Sequence, residues 1–261
     1  MLNRLAAAAA LRLKPGPHCR IVFFHLPRTG GTSLAKDVLF PNFPESRWCH
    51  VNFGPDMRPI GGAHDPLSWP AWRRRRVRLL AGHMPIGFAD HFAGASEYIT
   101  LMRDPISRTV SDYYFCRKHP SNPAHEAAVN LSLSQFVEKG YGFSHNCYAR
   151  WLSNAAFGAG FRGPDAMLEK AMENLSKFSF VGITENFEIS VERLCRRYCL
   201  VPHAAGRANR NDATPQRQEL SSGEREIIRH FNALDLVIFR AALRLDTARG
   251  RFEHKKASMG L

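Results

Sequence analysis

Residues 21–33, IVFFHLPRTGGTS, decide the fold of this chain. The run from Ile21 to Leu26 is continuously apolar rather than alternating, which is typical of a parallel strand that is buried on both faces. Pro27 ends the run, and a Gly-containing turn leads into residues 33–39, whose composition is helical. The segment therefore predicts a strand, a loop and a helix, in that order.

The loop of this unit has the composition of an anion-binding site. Between a strand and a helix, consecutive backbone N–H groups turn toward one point, and the helix dipole adds positive character. Gly30 and Gly31 let the backbone approach an anion closely. The side chains add the charge of Arg28 and the hydroxyl donors of Thr29, Thr32 and Ser33.

Strands and helices alternate along the rest of the chain. Further strands are predicted at 78–83, 98–102 and 178–183, and helices at 104–119, 131–139, 144–153, 164–177, 186–200 and 221–245. Residues 40–72 are rich in Pro, Gly and aromatics without a clear period, so we expect a surface excursion carrying short elements. The alternation predicts an α/β fold, a single domain with a central parallel sheet flanked by helices and a P-loop-like phosphate-binding loop after the first strand. We assign residues 20–248 to this domain, 1–19 to an N-terminal extension and 249–261 to a basic C-terminal tail.

The charge balance indicates an anionic partner. The 261 residues include 36 Lys plus Arg against 23 Asp plus Glu, a formal net charge of +13. This excess favours phosphate, sulfate, acidic sugars or nucleic acid without choosing among them. The four arginines at 73–76 are typical of a solvated surface, with guidance of an acidic acceptor as the alternative.

The apolar runs of the sequence bear on membrane insertion, and its cysteines bear on cellular compartment and metal binding. The stretch from Leu5 to Leu11 is far shorter than the roughly 20 residues of a membrane-spanning helix, so no such segment is expected. Residues 1–13 imitate a secretory leader, but a frayed amphipathic helix is the preferred interpretation. Six scattered cysteines indicate a reducing compartment, and we predict the cytoplasm. Cys195, Cys199 and His203 have the spacing of metal ligands on a helix, but no CxxC pair accompanies them, and we predict ordinary packing and no metal.

A second anion-binding segment follows a predicted strand further along the chain. Arg103 stands at the carboxyl end of that strand, Asp104–Pro105 begins a helix, and Ser111 lies two turns into it. Ligands of open parallel sheets bind at the carboxyl ends of the strands, so Arg103 is expected at the same crevice as the first loop. A salt bridge from Arg103 or Arg108 to Asp104 or Asp112 at helical spacing is the structural alternative. Two anion sites on one crevice suit a ligand with two phosphate groups.

Both segments resemble motifs of a known family. Pro27-Arg-Thr-Gly-Gly-Thr-Ser33 resembles the 5′-phosphosulfate-binding loop of sulfotransferases that use 3′-phosphoadenosine-5′-phosphosulfate (PAPS), and Arg103-Asp-Pro-x-x-Arg-x-x-Ser111 resembles their 3′-phosphate-binding motif. The likeness is to the carbohydrate group, which includes the heparan sulfate 2-O-sulfotransferases and bacterial relatives. It extends from about residue 21 to 245, through 82–85, 146–150 and 180–185.

The resemblance implies PAPS as the donor, no metal, and a role for each motif. Arg28, Thr29, Gly30, Gly31, Thr32 and Ser33 would hold its 5′ end, and Arg103 and Ser111 its 3′-phosphate. The family usually has Lys at the position of Arg28, and Arg keeps the charge but not a lysine's ability to give up a proton. Arg28 is therefore expected to stabilise the leaving phosphate. His83 matches the family's Gly-His position, follows a predicted strand and titrates near neutrality, so we predict it as the catalytic base.

The implied acceptor is a hydroxyl of a carbohydrate or glycolipid, an acidic one included, and nucleic acid is not expected as a partner. Asn146 and Arg150, four apart on a predicted helix, are candidate acceptor or cofactor contacts, with a polar helix face as an equal alternative. Arg210 lies in a basic stretch that resembles the loop folding over the nucleotide in relatives. The oligomeric state is left open.

Two other functions stay open on the sequence alone. A small-molecule kinase of the P-loop class would need Gly at position 26 and Lys at position 32, where this chain has Leu26 and Thr32, and it would bind ATP rather than adenosine bisphosphate. A non-catalytic polyanion or nucleic-acid binder would show salt-sensitive DNA binding without sulfur transfer. That alternative leaves the two spaced motifs unexplained.

Overall fold

The computed structural model describes residues 19–54, 58–60, 65–202 and 220–258, with side chains as far as residue 246. Its centre is a five-stranded sheet in which neighbouring described strands pair in parallel, in the order β2-β3-β1-β4-β5. The strands are β1 (Arg20–Phe24), β2 (Trp48–Asn52), β3 (Leu79–His83), β4 (Ser96–Met102) and β5 (Phe178–Ile183). The predicted α/β fold with a central parallel sheet is confirmed.

β1 is the middle strand, and its apolar run follows from that position. Ile21 lies opposite Leu79 of β3 on one side and Glu97 of β4 on the other. All residues at 21–24 are completely buried, because successive side chains point alternately into the two cores that cover the sheet. A strand in this position has no solvent-facing side, so it needs no polar alternation.

Helices cover both faces of the sheet. The chain forms α1 (Gly31–Ser33, continued by the wider π-type turns of Leu34–Leu39), α2 (Ala71–Arg76), α3 (Pro105–Lys118), α4 (His125–Asn130), α5 (Leu133–Glu138), α6 (Cys147–Leu152), α7 (Pro164–Ser176), α8 (Phe187–Tyr198), α9 (Ser222–Phe231) and α10 (Ala233–Ser258). Helices α1 and α8 pack on one face, and α6, α7 and α10 pack on the other. Helices α3, α4, α5 and α9 share a third apolar cluster.

The structure differs from the predicted elements in several places, and the short helices α2 and α4 were not predicted. The excursion at 40–72 carries short 3₁₀ turns and also the edge strand β2, which the sequence did not reveal. The helix predicted at 221–245 is two helices, α9 and α10, that are separated at Asn232. Helix α10 continues past residue 248, the predicted end of the domain.

The six cysteines all lie within the described residues, and each is a free thiol. Cys195 packs in the core beside α1, whereas Cys199 is exposed at the end of α8, and His203 lies outside the described residues. In the described part of the chain, no helix combines the length and hydrophobicity that crossing a bilayer requires. Most of the predicted extension, residues 1–18, also lies outside what the structure describes.

Candidate functional site

The carboxyl edge of the sheet gathers the residues that both motifs supply. His83 is the last residue of β3, His25 follows β1, Arg103 follows β4, and Thr184 follows β5. The strands on the two sides of β1 are reached by connections that run in opposite directions, which makes this edge the switch point of the sheet. Crevices at such points are where open α/β sheets bind ligands.

The loop after β1 is held in a tight turn. Arg28 and Gly30 both have left-handed backbones, with φ of 64° and 81°. The Thr29 hydroxyl, which we expected to be a ligand donor, is buried and donates to the Leu26 carbonyl at 2.9 Å, so it shapes the loop. Thr32 is exposed and Ser33 half-buried at the start of α1. The N–H groups of that first turn have no acceptor within the helix, so they are available to an anion.

Arg28 reaches from this loop across to α3. Its guanidinium lies over the ring of Phe115, 4.0 Å from the centroid, and its buried Nε has no hydrogen-bond partner among the described residues. Burial lowers the pKa of Arg28, Asp112 opposes this effect, and Arg103 and Arg108 add to it. Arginine stays charged at neutral pH even so. A cation with an unpartnered buried donor beside a helix N-terminus fits an anionic ligand.

Thr184 joins the first loop to the second motif. Its hydroxyl oxygen lies 2.5 Å from the Thr29 carbonyl oxygen and 3.1 Å from the Met102 carbonyl oxygen, so one side chain ties the loop to the end of β4. A Cβ on Gly30 would come within 3.5 Å of the Thr184 methyl group. Thr184 was not predicted as a site residue, although it lies in the segment at 180–185 that resembles the family.

The second motif lies at the same edge. Arg103 donates its backbone N–H to the Tyr148 hydroxyl at 2.9 Å, and that hydroxyl donates to the Arg103 carbonyl at 2.6 Å. Asp104 caps α3 by accepting from the Ser107 N–H at 2.8 Å. Ser111 lies four residues before Phe115 and therefore on the same face of α3 as the ring beneath Arg28. The structure thus places Arg103 near Arg28 of the first loop, and Ser111 on the face of α3 whose Phe115 ring Arg28 covers.

Arg108 has a structural position. It is completely buried, and its Nη2 donates to the Phe143 carbonyl at 2.8 Å and to the Thr109 hydroxyl at 2.9 Å. Asp112 accepts from the Phe143 N–H at 2.7 Å. Across the described ranges, no hydrogen bond joins Arg108 to Asp112, so the alternative of a simple salt bridge does not hold for this arginine. Both side chains instead hold the segment that contains Phe143.

His83 has a fixed tautomer. Its Nδ1 lies 2.7 Å from the carbonyl oxygen of His25, which can only accept, so Nδ1 carries the proton and Nε2 keeps the lone pair. The ring stacks on His25 and meets Trp151 edge-on, with centroids 4.6 and 5.0 Å away. Burial lowers the pKa of His83 to about 4, against the opposing hydrogen bond to His25. The expectation that His83 titrates near neutrality was therefore wrong, because the half-buried ring lies among other rings that limit the water available to solvate its charged form.

A pocket of about 280 Å³ opens beside His83. Four aromatic rings line it, together with the side chains of Asn52 and Arg150; the rings are Phe53, Phe143, Trp151 and Phe157. The predicted residue Arg150 is exposed and lines the same pocket as His83. The walls are apolar with few polar groups, which is the usual character of a small-molecule site.

Asn146 takes part in helix packing, and the arginines at 73–76 belong to α2. Asn146 accepts from the Leu234 N–H at 3.0 Å and so caps α10, while Asp235 caps α6 in return through the N–H groups of Tyr148 and Ala149. The side-chain oxygen of Asn146 is therefore engaged in helix packing, and Arg210 lies outside the described residues. The arginines at 73–76 form α2, which precedes β3 and so lies at the amino edge of the sheet, opposite the crevice.

Comparisons with known proteins return sulfotransferases. The scan of protein families found no matching model. Over 108 residues, 38% of this chain, the sequence is 30% identical to a heparin sulfate O-sulfotransferase of Drosophila melanogaster, and the match covers 30% of that relative's length. The predicted resemblance to sulfotransferases is confirmed over this stretch.

Two solved structures were also found to be similar. A sulfotransferase from Alicyclobacillus acidocaldarius gives a TM-score of 0.45 at 15% identity, covering 87% of this chain and 96% of that one. Mouse sulfotransferase SULT7A1 complexed with PAP gives a TM-score of 0.37 at 15% identity, covering 72% and 61%.

Proposed function

We propose that this protein transfers the sulfuryl group of PAPS to a hydroxyl of a carbohydrate or glycolipid acceptor. One observation carries the proposal, the meeting of two anion-binding segments at one crevice. The Thr184 hydroxyl lies within hydrogen-bonding distance of the Thr29 and Met102 carbonyls, and Arg28 lies on Phe115, one helical turn beyond Ser111. The resemblance of both segments to sulfotransferase motifs, and the similarity to the Drosophila relative, support the same donor.

The residues at the crevice fit a donor with phosphate at both ends of its ribose. The first-turn N–H groups of α1 and the Arg28 guanidinium would hold the 5′ end, with the hydroxyls of Thr32 and Ser33 beside them. Arg103 and Ser111 would hold the 3′-phosphate. When bound, PAPS would supply the sulfuryl group and a bisphosphate leaving group.

Arg28 stabilises the charge that builds on the leaving oxygens during an in-line displacement. The guanidinium is fixed on Phe115 and partly removed from water, so its field acts at low dielectric without reorganising. Magnesium plays this part in kinases. Because arginine keeps its proton, Arg28 acts through charge alone.

His83 accepts the proton of the acceptor hydroxyl at Nε2. Its Nδ1 is committed to the His25 carbonyl, and the ring lines the pocket. A base with a pKa of about 4 is neutral at pH 7 and ready to accept, but it is weaker than one matched to the operating pH. An anion held by the neighbouring loop raises the pKa of His83 by favouring its charged form, and so strengthens the base when the donor is present.

The pocket beside His83 takes the acceptor. Its aromatic rings offer flat apolar surfaces to the C–H faces of a sugar, and Arg150 offers a charge to an acidic substituent. We place the protein in the cytoplasm, for which the free thiols are the support.

The experiment offers PAPS with a labelled sulfuryl group together with a panel of glycans and glycolipids. We expect label transfer to at least one acceptor, and none when labelled ATP replaces PAPS. Transfer of the ATP phosphoryl group would establish the kinase alternative. Salt-sensitive binding to DNA without any transfer from PAPS would establish the polyanion binder.

A further inference from the structure

The imidazole of His25 lies between the proposed base and the phosphate-binding loop. One face stacks on His83 at 4.6 Å with 19° between the planes, and Phe23 stacks at 5.4 Å with 17°. Its edge touches the loop, since a Cβ on Gly31 would clash with His25 Cδ2 and Nε2. Only glycine at position 31 leaves room for this ring.

The backbone of His25 also contacts the end of β3, at Gly82 and His83. Its N–H donates to the Gly82 carbonyl at 3.0 Å, and its carbonyl accepts from His83 Nδ1 at 2.7 Å. One residue therefore fixes the tautomer of His83 through its carbonyl and the plane of the ring through its side chain. No other described residue both stacks on His83 and contacts the loop at Gly31.

We propose that His25 is a positioning residue, whose stacked imidazole sets the distance and orientation of His83 relative to the phosphate-binding loop. The contribution of His25 to catalysis rests on the proposed function, whereas the positioning of one ring by the other does not. His25 acts through His83, because its own ring is packed between two aromatic neighbours and the loop. The stack also keeps water from one face of the base.

The surroundings of the pair determine which protonation states it can adopt. Burial lowers the pKa of His25 well below its ordinary value, and His83, His50 and Arg28 lower it further. The groups around His83 are His25 in the loop after β1, His50 of β2, and Arg150 and Trp151 of α6. Every charged neighbour named here is cationic or becomes so, hence both rings stay neutral above the acidic range.

The test compares His25→Ala, which removes the stack, with His25→Phe, which keeps an aromatic ring but has no ring nitrogen. The matched control is His145→Phe, because His145 stacks on Phe231 at 4.4 Å and 2°, away from His83. Histidine C–H signals are titrated by NMR in the protein without donor, and the His83 signal is assigned by its loss in His83→Gln. Thermal unfolding and calorimetric binding of adenosine 3′,5′-bisphosphate accompany each variant.

We expect the titration midpoint of His83 to lie near 4 in the wild type, in His25→Phe and in the control, and to move toward 6.5 in His25→Ala, because water reaches the exposed ring face. Bisphosphate affinity should stay within a few fold throughout. With an acceptor, kcat should fall at least about tenfold in His25→Ala and recover in His25→Phe.

Three results would overturn the proposal. An unchanged midpoint in His25→Ala would show that the stack does not shield His83. Equal loss of kcat in both His25 variants would assign the effect to a ring nitrogen, and loss of bisphosphate binding would make His25 a scaffold of the loop. The NMR titration needs no turnover, so failure of the proposed sulfuryl transfer would leave this test intact.

Discussion

Replacing His83 by Gln should remove a proton-linked loss of stability that the structure assigns to this one ring. The pKa of His83 is lowered by burial from 6.5 to about 4 in the folded protein. Between these values the unfolded chain binds a proton that the folded protein excludes, so stability is complete above pH 6.5 and falls as the pH drops toward 4. The two pKa values differ by about 2.5 units, and each unit is worth about 1.36 kcal/mol. The full loss is about 3.4 kcal/mol below pH 4, and at pH 5 it is about 2 kcal/mol.

The assay is equilibrium urea unfolding of wild type and His83→Gln at pH 8 and pH 5, with His230→Gln as the control because His230 is exposed on α9. Histidines that do not contact His83 titrate equally in each protein, so the difference between wild type and variant reports on His83 and on its stacked neighbour His25. We expect the wild type to lose about 2 kcal/mol more than His83→Gln between the two pH values, and the control to follow the wild type. Equal losses in wild type and His83→Gln would show a solvated His83 and refute the account of a buried neutral base.

Three further outcomes follow from the site. His83→Ala should lower turnover about 10²-fold or more while bisphosphate affinity stays within a few fold, since a base contributes mainly in the transition state; near-normal steady-state turnover would make His83 structural. Thr184→Val should weaken bisphosphate binding roughly fivefold in calorimetry, because about 1 kcal/mol of hydrogen bonding between the loop and β4 is lost, and unchanged affinity would show that the loop holds its shape without it. Sulfuryl transfer should continue in the presence of a chelator, because Arg28 and the loop amides supply the positive charge that stabilises the leaving group. Activity that is abolished by the chelator and restored by Mg²⁺ would favour a kinase.

The first loop was predictable because its chemistry is local. A run buried on both faces, a turn with two glycines and a helix start follow one another within residues 21–33, and each leaves its own mark on the sequence. The sequence signal of strand β2 is weaker. The strand has five residues at the edge of the sheet and, among the described strands, pairs with β3 alone, so neither its length nor its burial separates it from the irregular segment around it.

The role of each residue in the site depends on contacts between segments that are distant in the sequence. Thr29, Thr32 and Ser33 look alike as hydroxyl donors, and only the folded loop turns the Thr29 hydroxyl inward to the Leu26 carbonyl. The low pKa of His83 arises from its burial among the rings of His25, which follows β1, and Trp151, which lies in α6. The residues next to position 83 in the sequence do not reveal these contacts. The residue types in the sequence thus indicated an anion site. The tertiary structure was needed to show how far His83 is solvated and which loop hydroxyls can donate to a ligand.

The most direct test of the two-anion crevice measures binding of adenosine 3′,5′-bisphosphate and of AMP, which lacks the 3′-phosphate, by calorimetry in wild type and Arg103→Ala. Arg76→Ala is the control, because it removes the same charge from α2 at the opposite edge of the sheet. A hydrogen bond to a charged group is worth about 1.5–3 kcal/mol, so Arg103→Ala should weaken bisphosphate binding roughly 10- to 150-fold. AMP binding should stay within about threefold, and the control should match the wild type for both ligands. Equal weakening of bisphosphate and AMP in Arg103→Ala would contradict the assignment of Arg103 to the 3′-phosphate, and with it the central claim.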